Sequence, residues 1–261
     1  MPELPDVEIY RQTAEKAKQN KISKVTSHDK KFDRVNEKEI NKQFKNKTIT
    51  GTERRGKHLF LFSNDNAIMI MHFGMTGDLH YIKKNDDLPD YTKLELEFDN
   101  DDKLVYISKR KLGFVEVTDK LERFIEENEI GNDALNLSKS EFIDSIKSKK
   151  SMVKSALMDQ SITSGIGNVY SDEILFQCGL HPKTKTTDLE EKDWEQLYAC
   201  MKKVMETAIK NEARPSQLPD DFLTKHRSEE EKCPKCDGHI EKIKISGRGM
   251  YYCPSCQQPK K

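Results

Sequence analysis

The sequence predicts an α+β protein from three features of its layout. Short strand-like runs crowd the first 118 residues, helical periodicity dominates from Leu121 to about Phe222, and two Cys-x-x-Cys knuckles close the chain. Strands and helices that are segregated along a chain, rather than alternating, indicate α+β architecture. The expected domains are 1–118, 119–227 and 228–261.

The chain opens Met1-Pro2-Glu3-Leu4-Pro5-Asp6-Val7-Glu8. Pro5 suits the first turn of a helix, where its missing N–H would have no partner. Val7, Tyr10, Ala14 and Ala17 then recur at helical spacing. Glu3 is expected near the positive end of that helix's dipole. If Met1 is trimmed, Pro2 presents a secondary amine beside a carboxylate, a nucleophile next to an acid. An α-amino group titrates roughly two or more units below a lysine, so much of it is nucleophilic near neutrality without burial. The same residues also serve as an ordinary helix lead-in, and this stretch alone leaves both readings open.

Ile22–Val25 follows, then a basic, loop-rich stretch through Lys47. Strands are expected from Thr48, over His58–Phe62 and over Ala67–Met71, the last two joined by the turn residues Ser63-Asn64-Asp65-Asn66. Leu94, Leu96 and Phe98 alternate with charged residues, and Asp99–Asp102 leads into Leu104–Ile107. These read as hairpins with one buried face. The helical region holds Cys178, Cys200 and Trp194, expected as packing residues. Ser228-Glu229-Glu230-Glu231-Lys232 reads as a linker.

The 261 residues carry 45 basic and 45 acidic side chains, so the formal charge is zero. Its distribution is uneven. From Lys232 to Lys261 there are seven basic residues and two acids, which leaves a basic end suited to a polyanion. No apolar run reaches membrane-spanning length and no signal-peptide core opens the chain, so a cytoplasmic address is expected, associated with the nucleoid in a prokaryote, with no membrane partner.

Three motifs carry chemistry. Cys233-Pro-Lys-Cys236 and Cys253-Pro-Ser-Cys256, sixteen residues apart, have the spacing of one tetrahedral, structural zinc held by four thiolates. The hairpin between them would offer Arg248 to phosphate, flanked by Lys242 and Lys244. Next, Ser164-Gly165-Ile166-Gly167-Asn168 before an amphipathic helix gathers backbone N–H groups and a helix N-terminus into an anion site. Plain helix capping is the other reading. Finally, Arg54-Arg55-Gly56-Lys57, His72-Phe73-Gly74-Met75-Thr76-Gly77 and Lys109–Phe114 place cations or long side chains beside glycine at strand edges. A groove for a polyanion needs such cations, and an enzyme that extrudes a base needs a side chain to fill the gap.

Taken in order, the Pro2–Glu8 opening, Gly56-Lys57, His72–Gly77, Gly165–Tyr170 and the terminal knuckles resemble the formamidopyrimidine-DNA glycosylase/endonuclease VIII family over nearly the whole chain. The resemblance implies an N-terminal β-sandwich, a helix-two-turns-helix domain and a zinc finger, with damaged double-stranded DNA bound in the cleft by a monomer. It implies a bifunctional DNA glycosylase and AP lyase that excises oxidised bases in base-excision repair. Pro2 would attack C1′ as the Schiff-base nucleophile, Glu3 would protonate the sugar ring oxygen, and Lys57 would hold a phosphate and assist β,δ-elimination. Met75, Arg110 and Leu112 would fill the gap, while Lys154, Asn168, Arg248 and Tyr91 would contact the DNA. The other reading is a noncatalytic damage-binding zinc protein on the same scaffold.

Three positions and one segment depart from the family pattern. Asp6 replaces the usual glutamate, Leu112 stands where 8-oxoguanine enzymes carry phenylalanine, and Tyr91 occupies the place of a phosphate-binding histidine. The segment from Asn211 to His226 lacks the glycine- and threonine-rich loop that caps 8-oxoguanine. The expectation therefore leans away from 8-oxoguanine as principal substrate.

Overall fold

Chain contacts divide the protein into two compact units, Met1–Pro2 with Asp6–Glu129, and Glu3–Pro5 with Ile130–Lys261. The computed structural model describes residues 1–29, 36–245 and 247–259. Lys260 and Lys261 of the expected basic end, and residues 30–35 of the expected loop, lie outside the described residues.

The first unit is built on two four-stranded antiparallel sheets. One has the order β1-β6-β7-β5, from Ile22–Ser27 (β1), Gly77–Ile82 (β5), Thr92–Phe98 (β6) and Lys103–Ser108 (β7). The other runs β2-β3-β4-β8, from Ile49–Arg55 (β2), His58–Ser63 (β3), Ile68–His72 (β4) and Phe114–Thr118 (β8). The inward residues Leu59, Leu61, Met69 and Met71 of one sheet share a core with Leu79, Leu94, Leu96, Phe98, Leu104 and Tyr106 of the other. Two-residue side-chain periodicity makes this possible, since alternate residues leave each sheet on the same face. Helix α1, Leu4–Glu15, packs Val7, Tyr10 and Ala14 on the same core.

One expectation is corrected here. Within the basic stretch through Lys47, Glu37–Phe44 forms a helix, α2, capped by the Asn36 side chain, which accepts from Glu39 N at 3.0 Å. Its apolar signal is only Ile40 and Phe44, one turn apart and both fully buried, amid six polar residues. Asn41 on this helix donates to Val25 O at 2.7 Å and accepts from Val25 N at 3.0 Å. The edge strand β1 is thus paired by a side-chain amide, which blunts an otherwise open edge. Leu121–Glu127 forms a short helix, α3, at the end of this unit.

The second unit packs helices α4 (Lys139–Lys147), α5 (Val153–Leu157), α6 (Asn168–Cys178) and α7 (Glu191–Lys210) around Phe142, Ile146, Leu157, Ile174, Trp194 and Met201. Leu4 belongs to this core and is fully buried. A two-residue parallel pair, β9 (Asn132–Asp133) with β10 (Thr163–Ser164), brings the chain to the start of α6. The sequence suggested an amphipathic α6. In the structure it is buried almost all round, from Tyr170 through Phe176, which is the condition of a central helix. It stops at Gly179, where φ is +67° and Leu180 N reaches back to Leu175 O, a left-handed cap that favours glycine.

The terminal module is a hairpin of β11 (Glu241–Ile245) and β12 (Arg248–Tyr252) between the two cysteine knuckles. Its small core of Cys233, Ile240 and Cys253 is completed by Phe176 of α6 and Leu223. The expected linker is in fact part of it, since Glu230 N donates to Ile240 O and Ile240 N to Glu231 O.

Candidate active site and nucleic-acid interface

The anion site expected at Gly165–Asn168 exists, and the chain itself supplies the anion. Glu3, 1% exposed, accepts from Gly167 N at 2.8 Å, Val169 N at 2.8 Å and Tyr170 N at 3.1 Å. These are N–H groups that a helix N-terminus leaves without intrahelical partners. Glu3 directly precedes α1, as expected, and its carboxylate is bonded at a second positive helix end, that of α6. Both glycines are required by close approach. A Cβ on Gly167 would lie 2.3 Å from Glu3 Cδ, and one on Gly165, where φ is +111°, 2.6 Å from Leu4 Cδ1. Leu4 N donates to Gly165 O at 3.0 Å, so backbone and side chain of residues 3 and 4 are both gripped. Pro2 precedes this anchored residue by one peptide bond.

Lys57 follows Gly56 in a two-residue turn between β2 and β3. Gly56 has φ +57°, the Gly-X pattern of a tight hairpin. Arg54 braces that turn by donating to Gly56 O at 3.3 Å and to Glu8 Oε2 at 3.0 Å. Burial raises the Glu8 carboxyl, but hydrogen bonds from Arg11 and Arg54 outweigh it and hold the group below its ordinary value. Glu8 thereby ties α1 to the Lys57 turn.

Met75, Arg110 and Leu112 are brought together at one end of the first unit. Gly74, at φ +57°, has no room for a side chain, because a Cβ would stand 2.3 Å from Leu112 C. Arg110 N donates to Thr76 Oγ1 at 2.9 Å. The two tips therefore share a backbone contact, with Met75 41% and Leu112 52% exposed. Beneath them Tyr10 packs on Phe73 at 4.4 Å between ring centroids and donates to Gly77 O at 3.1 Å. Phe73 in turn stacks on Tyr106 at 5.1 Å, and Tyr106 donates to His72 O at 2.9 Å. His72 itself stacks on Phe114 at 5.3 Å, consistent with a packed histidine. Tyr91 is exposed at a positive φ of 61°, with the Lys109 ammonium 5.6 Å from its ring centre.

Lys154 is placed differently from an open phosphate contact. It is 1% exposed, ion-paired to the buried Asp172, and its ammonium also reaches Asn168 O at 3.4 Å. Burial lowers the ammonium and raises the Asp172 carboxyl, with each partner opposing the shift of the other. Asp172 also pairs with Arg227 at 2.9 Å and accepts from Tyr251 N at 3.2 Å, while the Arg227 guanidinium lies 5.0 Å from the Tyr251 ring centre. Asn168 donates from its amide to Gly249 O at 2.9 Å. These bonds fix the hairpin against α6. A cavity of about 350 Å³ lined by Lys154, Ser155, Met158, Asp159, Ile245 and Arg248 opens beside them. Lys154 and Arg248 thus line the same space.

Asp172, Glu173 and Arg227 were not singled out from the sequence. Glu173 is fully buried and accepts from Leu223 N at 3.2 Å, Thr224 N at 2.7 Å and Thr224 Oγ1 at 2.7 Å. The available signal was two adjacent acids inside an otherwise apolar helical run, Ile174-Leu175-Phe176, where a charge survives only if partnered.

The four module thiols form one cluster, with all Sγ atoms within 4.8 Å of one another. Cys233–Cys256, Cys236–Cys253 and Cys236–Cys256 stand at 3.7, 3.6 and 3.3 Å. A tetrahedron of sulfurs about 2.3 Å from a central zinc has edges of roughly 3.8 Å, so the donor set fits that ion. Lys235 N and Gly238 N point at Cys233 Sγ and Cys236 Sγ, at 3.4 and 3.3 Å, which favours thiolates.

An anchored Pro-Glu terminus, a glycine-lined helix entry and a four-cysteine hairpin define the class of helix-two-turns-helix proteins that end in a zinc finger. Family models agree along the chain: the formamidopyrimidine-DNA glycosylase N-terminal domain matches residues 1–115, the corresponding H2TH domain 130–220, and the zinc finger found in FPG and IleRS 230–259. The chain belongs to the formamidopyrimidine-DNA glycosylase family. It is 30% identical to the formamidopyrimidine-DNA glycosylase of Ureaplasma parvum, covering 98% of this chain and 100% of that one. The Lactococcus lactis enzyme of the same name is also 30% identical, over 99% of this chain and 100% of its own. Among solved structures, the Lactococcus lactis Fpg in complex with FAPY-dG-containing DNA superposes with a TM-score of 0.87 at 28% identity, covering 98% of this chain and 100% of that one. A complex of the same enzyme with abasic-site DNA gives 0.86, at 28% identity and with 98% and 99% coverage.

Proposed function

We propose that this DNA glycosylase of base-excision repair removes oxidised bases through a Schiff base on Pro2 and then cleaves the strand by β,δ-elimination. The observation that carries the reading is the seat of Glu3, whose three amide bonds hold the residue next to Pro2 in one position. Orientation of this kind accounts for a large share of many catalysed rates.

Once Met1 is removed, the Pro2 nitrogen attacks C1′, the glycosidic bond breaks and the base departs with a proton. Glu3 supplies a proton to the sugar ring oxygen as the C1′–O4′ bond opens, leaving an iminium. The cationic nitrogen acidifies the C2′ hydrogen, and its loss expels the 3′ phosphate. A second elimination expels the 5′ phosphate, and water returns Pro2. Lys57, on its braced turn, holds a phosphate beside the lesion. Extruding a base costs roughly a few kcal/mol, and an inserted side chain offsets the loss of stacking. Met75, Arg110 and Leu112 are the side chains for that role, and Leu112 offers less stacking surface than an aromatic ring. Asn168, Arg248 and Tyr91 are the DNA-backbone contacts of this reading, while Lys154, held by Asp172, would act from the wall of the cavity it shares with Arg248. Cys233, Cys236, Cys253 and Cys256 would hold one zinc, whose contribution is a cross-link that stiffens the hairpin.

The substrate reading favours formamidopyrimidines, hydantoins or oxidised pyrimidines over 8-oxoguanine. Support comes from the segment after α7: Leu218, Phe222 and Leu223 are buried in cores, and Glu173 and Gln177 hold its backbone, so it is packed down. Borohydride trapping on a duplex with an abasic site tests the chemistry. A covalent adduct that disappears in Pro2→Gly is expected, and an adduct of equal yield in that variant would overturn the assignment. A panel of lesion duplexes, each opposite one base, tests the preference. Excision of 8-oxoguanine faster than of every other lesion would reverse it.

A further inference from the structure

The catalytic chemistry leaves two thiols unused, both in the second unit. Cys178 is the last residue of α6, and Cys200 lies in the middle of α7. The helices meet through a reciprocal pair of bonds: Cys178 Sγ donates to Gln196 O at 3.7 Å, and Gln196 Nε2 donates to Cys178 O at 3.2 Å. Cys200 follows Gln196 by four residues, so it lies one turn further along the same face of α7. The carbonyl that Cys178 addresses is therefore also the one the Cys200 backbone N–H uses within the helix. The Gln196 carbonyl thus brings the Cys178 thiol beside the turn that carries Cys200, with Cys178 buried and Cys200 partly open to solvent.

We propose that Cys178 and Cys200 are a dithiol modification site, which hydrogen peroxide converts to an intramolecular disulfide joining α6 to α7. The order of events follows from exposure. The Cys200 thiolate attacks the peroxide oxygen, the O–O bond breaks, and water leaves after protonation, giving a sulfenic acid at Cys200. The Cys178 thiol then attacks that sulfur, forms the S–S bond and releases a second water. Two thiols are oxidised by two electrons in all, and one peroxide is reduced to two waters. The asymmetry of the pair suits these roles. The neighbouring Cys178 thiol, with the Lys235 and Lys203 ammoniums, lowers Cys200 against its partial burial, whereas the nearby Cys200 thiol and burial raise Cys178. Reactivity follows the thiolate and its access, which assigns attack to Cys200 and resolution to Cys178.

Peptide mapping of the full-length, zinc-supplied protein tests this. After limited hydrogen peroxide and alkylation of remaining thiols, trypsin cuts at Lys183, Lys185 and Lys192, placing Cys178 and Cys200 on separate peptides with one cysteine each. The expected product is those two peptides joined, lighter by two hydrogens than their sum and released by dithiothreitol, while the protein retains its zinc. In Cys178→Ala, whose folding is checked by its melting temperature, a sulfenic acid at Cys200 should persist and be captured by dimedone. Recovery of both cysteines alkylated, oxidation of Cys200 alone in the unsubstituted protein, or linkage seen only after zinc has left would each overturn the proposal.

Discussion

At Gly167 a single hydrogen separates a working seat from a blocked one. Gly167→Ala would press a methyl group into the Glu3 carboxylate, which already sits in close contact. A shift of about 1 Å in a catalytic group costs on the order of 100-fold in rate. Borohydride trapping should fall by about that factor, while the melting temperature of the first unit stays unchanged. Glu8 makes a second prediction, with a pH dependence. Its carboxyl is held below the ordinary value in the folded protein, because Arg11 and Arg54 outweigh burial. The stabilisation is therefore present above the unfolded value of about 4.3 and is lost as pH falls through the folded value. Glu8→Gln should cost about 1.5–3 kcal/mol at pH 7, the scale of hydrogen bonds to charged groups, with the gap to the parent closing below about pH 4. Denaturant melts across that range measure it. The sequence showed what these groups are, an amine, a carboxylate and a glycine-lined helix entry. It did not show that the helix entry was meant for the chain's own third residue, because that pairing spans 164 to 167 positions and leaves no local periodicity.

Among the elements, α6 joins both halves of the second unit's chemistry. Its N-terminus holds Glu3, and Asp172 one turn later holds Arg227 and the Tyr251 N–H. Arg227→Ala would leave Asp172 buried with Lys154 alone, and removing one partner of a buried pair typically costs about 3–5 kcal/mol. Because Lys154 remains, a loss of about 3 kcal/mol is expected. Amide exchange at Tyr251 should accelerate while the first unit's strands keep their protection. Strands with a clean alternation, such as β6 with Leu94, Leu96 and Phe98, were legible in the sequence because one face is buried. The helix α2 was not, since two apolar residues among charges give too weak a stripe. β5 and β8 were missed for a related reason: Gly77-Asp78-Leu79-His80 and Phe114-Val115-Glu116-Val117 are short, and each follows a motif that drew a chemical reading instead.

For the molecule as a whole, the two units call for different sources of stability. The first has a sandwich core of more than a dozen fully buried apolar side chains. The finger has Ile240, two cysteines and borrowed contacts from Phe176 and Leu223, too little to fold a 30-residue segment unaided. A four-thiolate zinc site typically contributes about 10–16 kcal/mol. Chelation at neutral pH should therefore melt the β11–β12 hairpin and abolish binding to duplex DNA, leaving the first unit's thermal transition in place. Calorimetry with and without chelator separates the two. Among the described residues, no helix is long and apolar enough to cross a membrane.

Residues 3–5 also bear on how the molecule is made. They are synthesised well before their hydrogen-bonding partners, Gly165 to Tyr170, which follow some 160 residues later. Until then these residues have nowhere to dock, and the helical unit lacks Leu4 from its interior. Contacts of such wide separation are slow to form because a long loop must close before they contribute. Maturation of this protein should therefore end with the seating of residues 3–5, the last event before it can act.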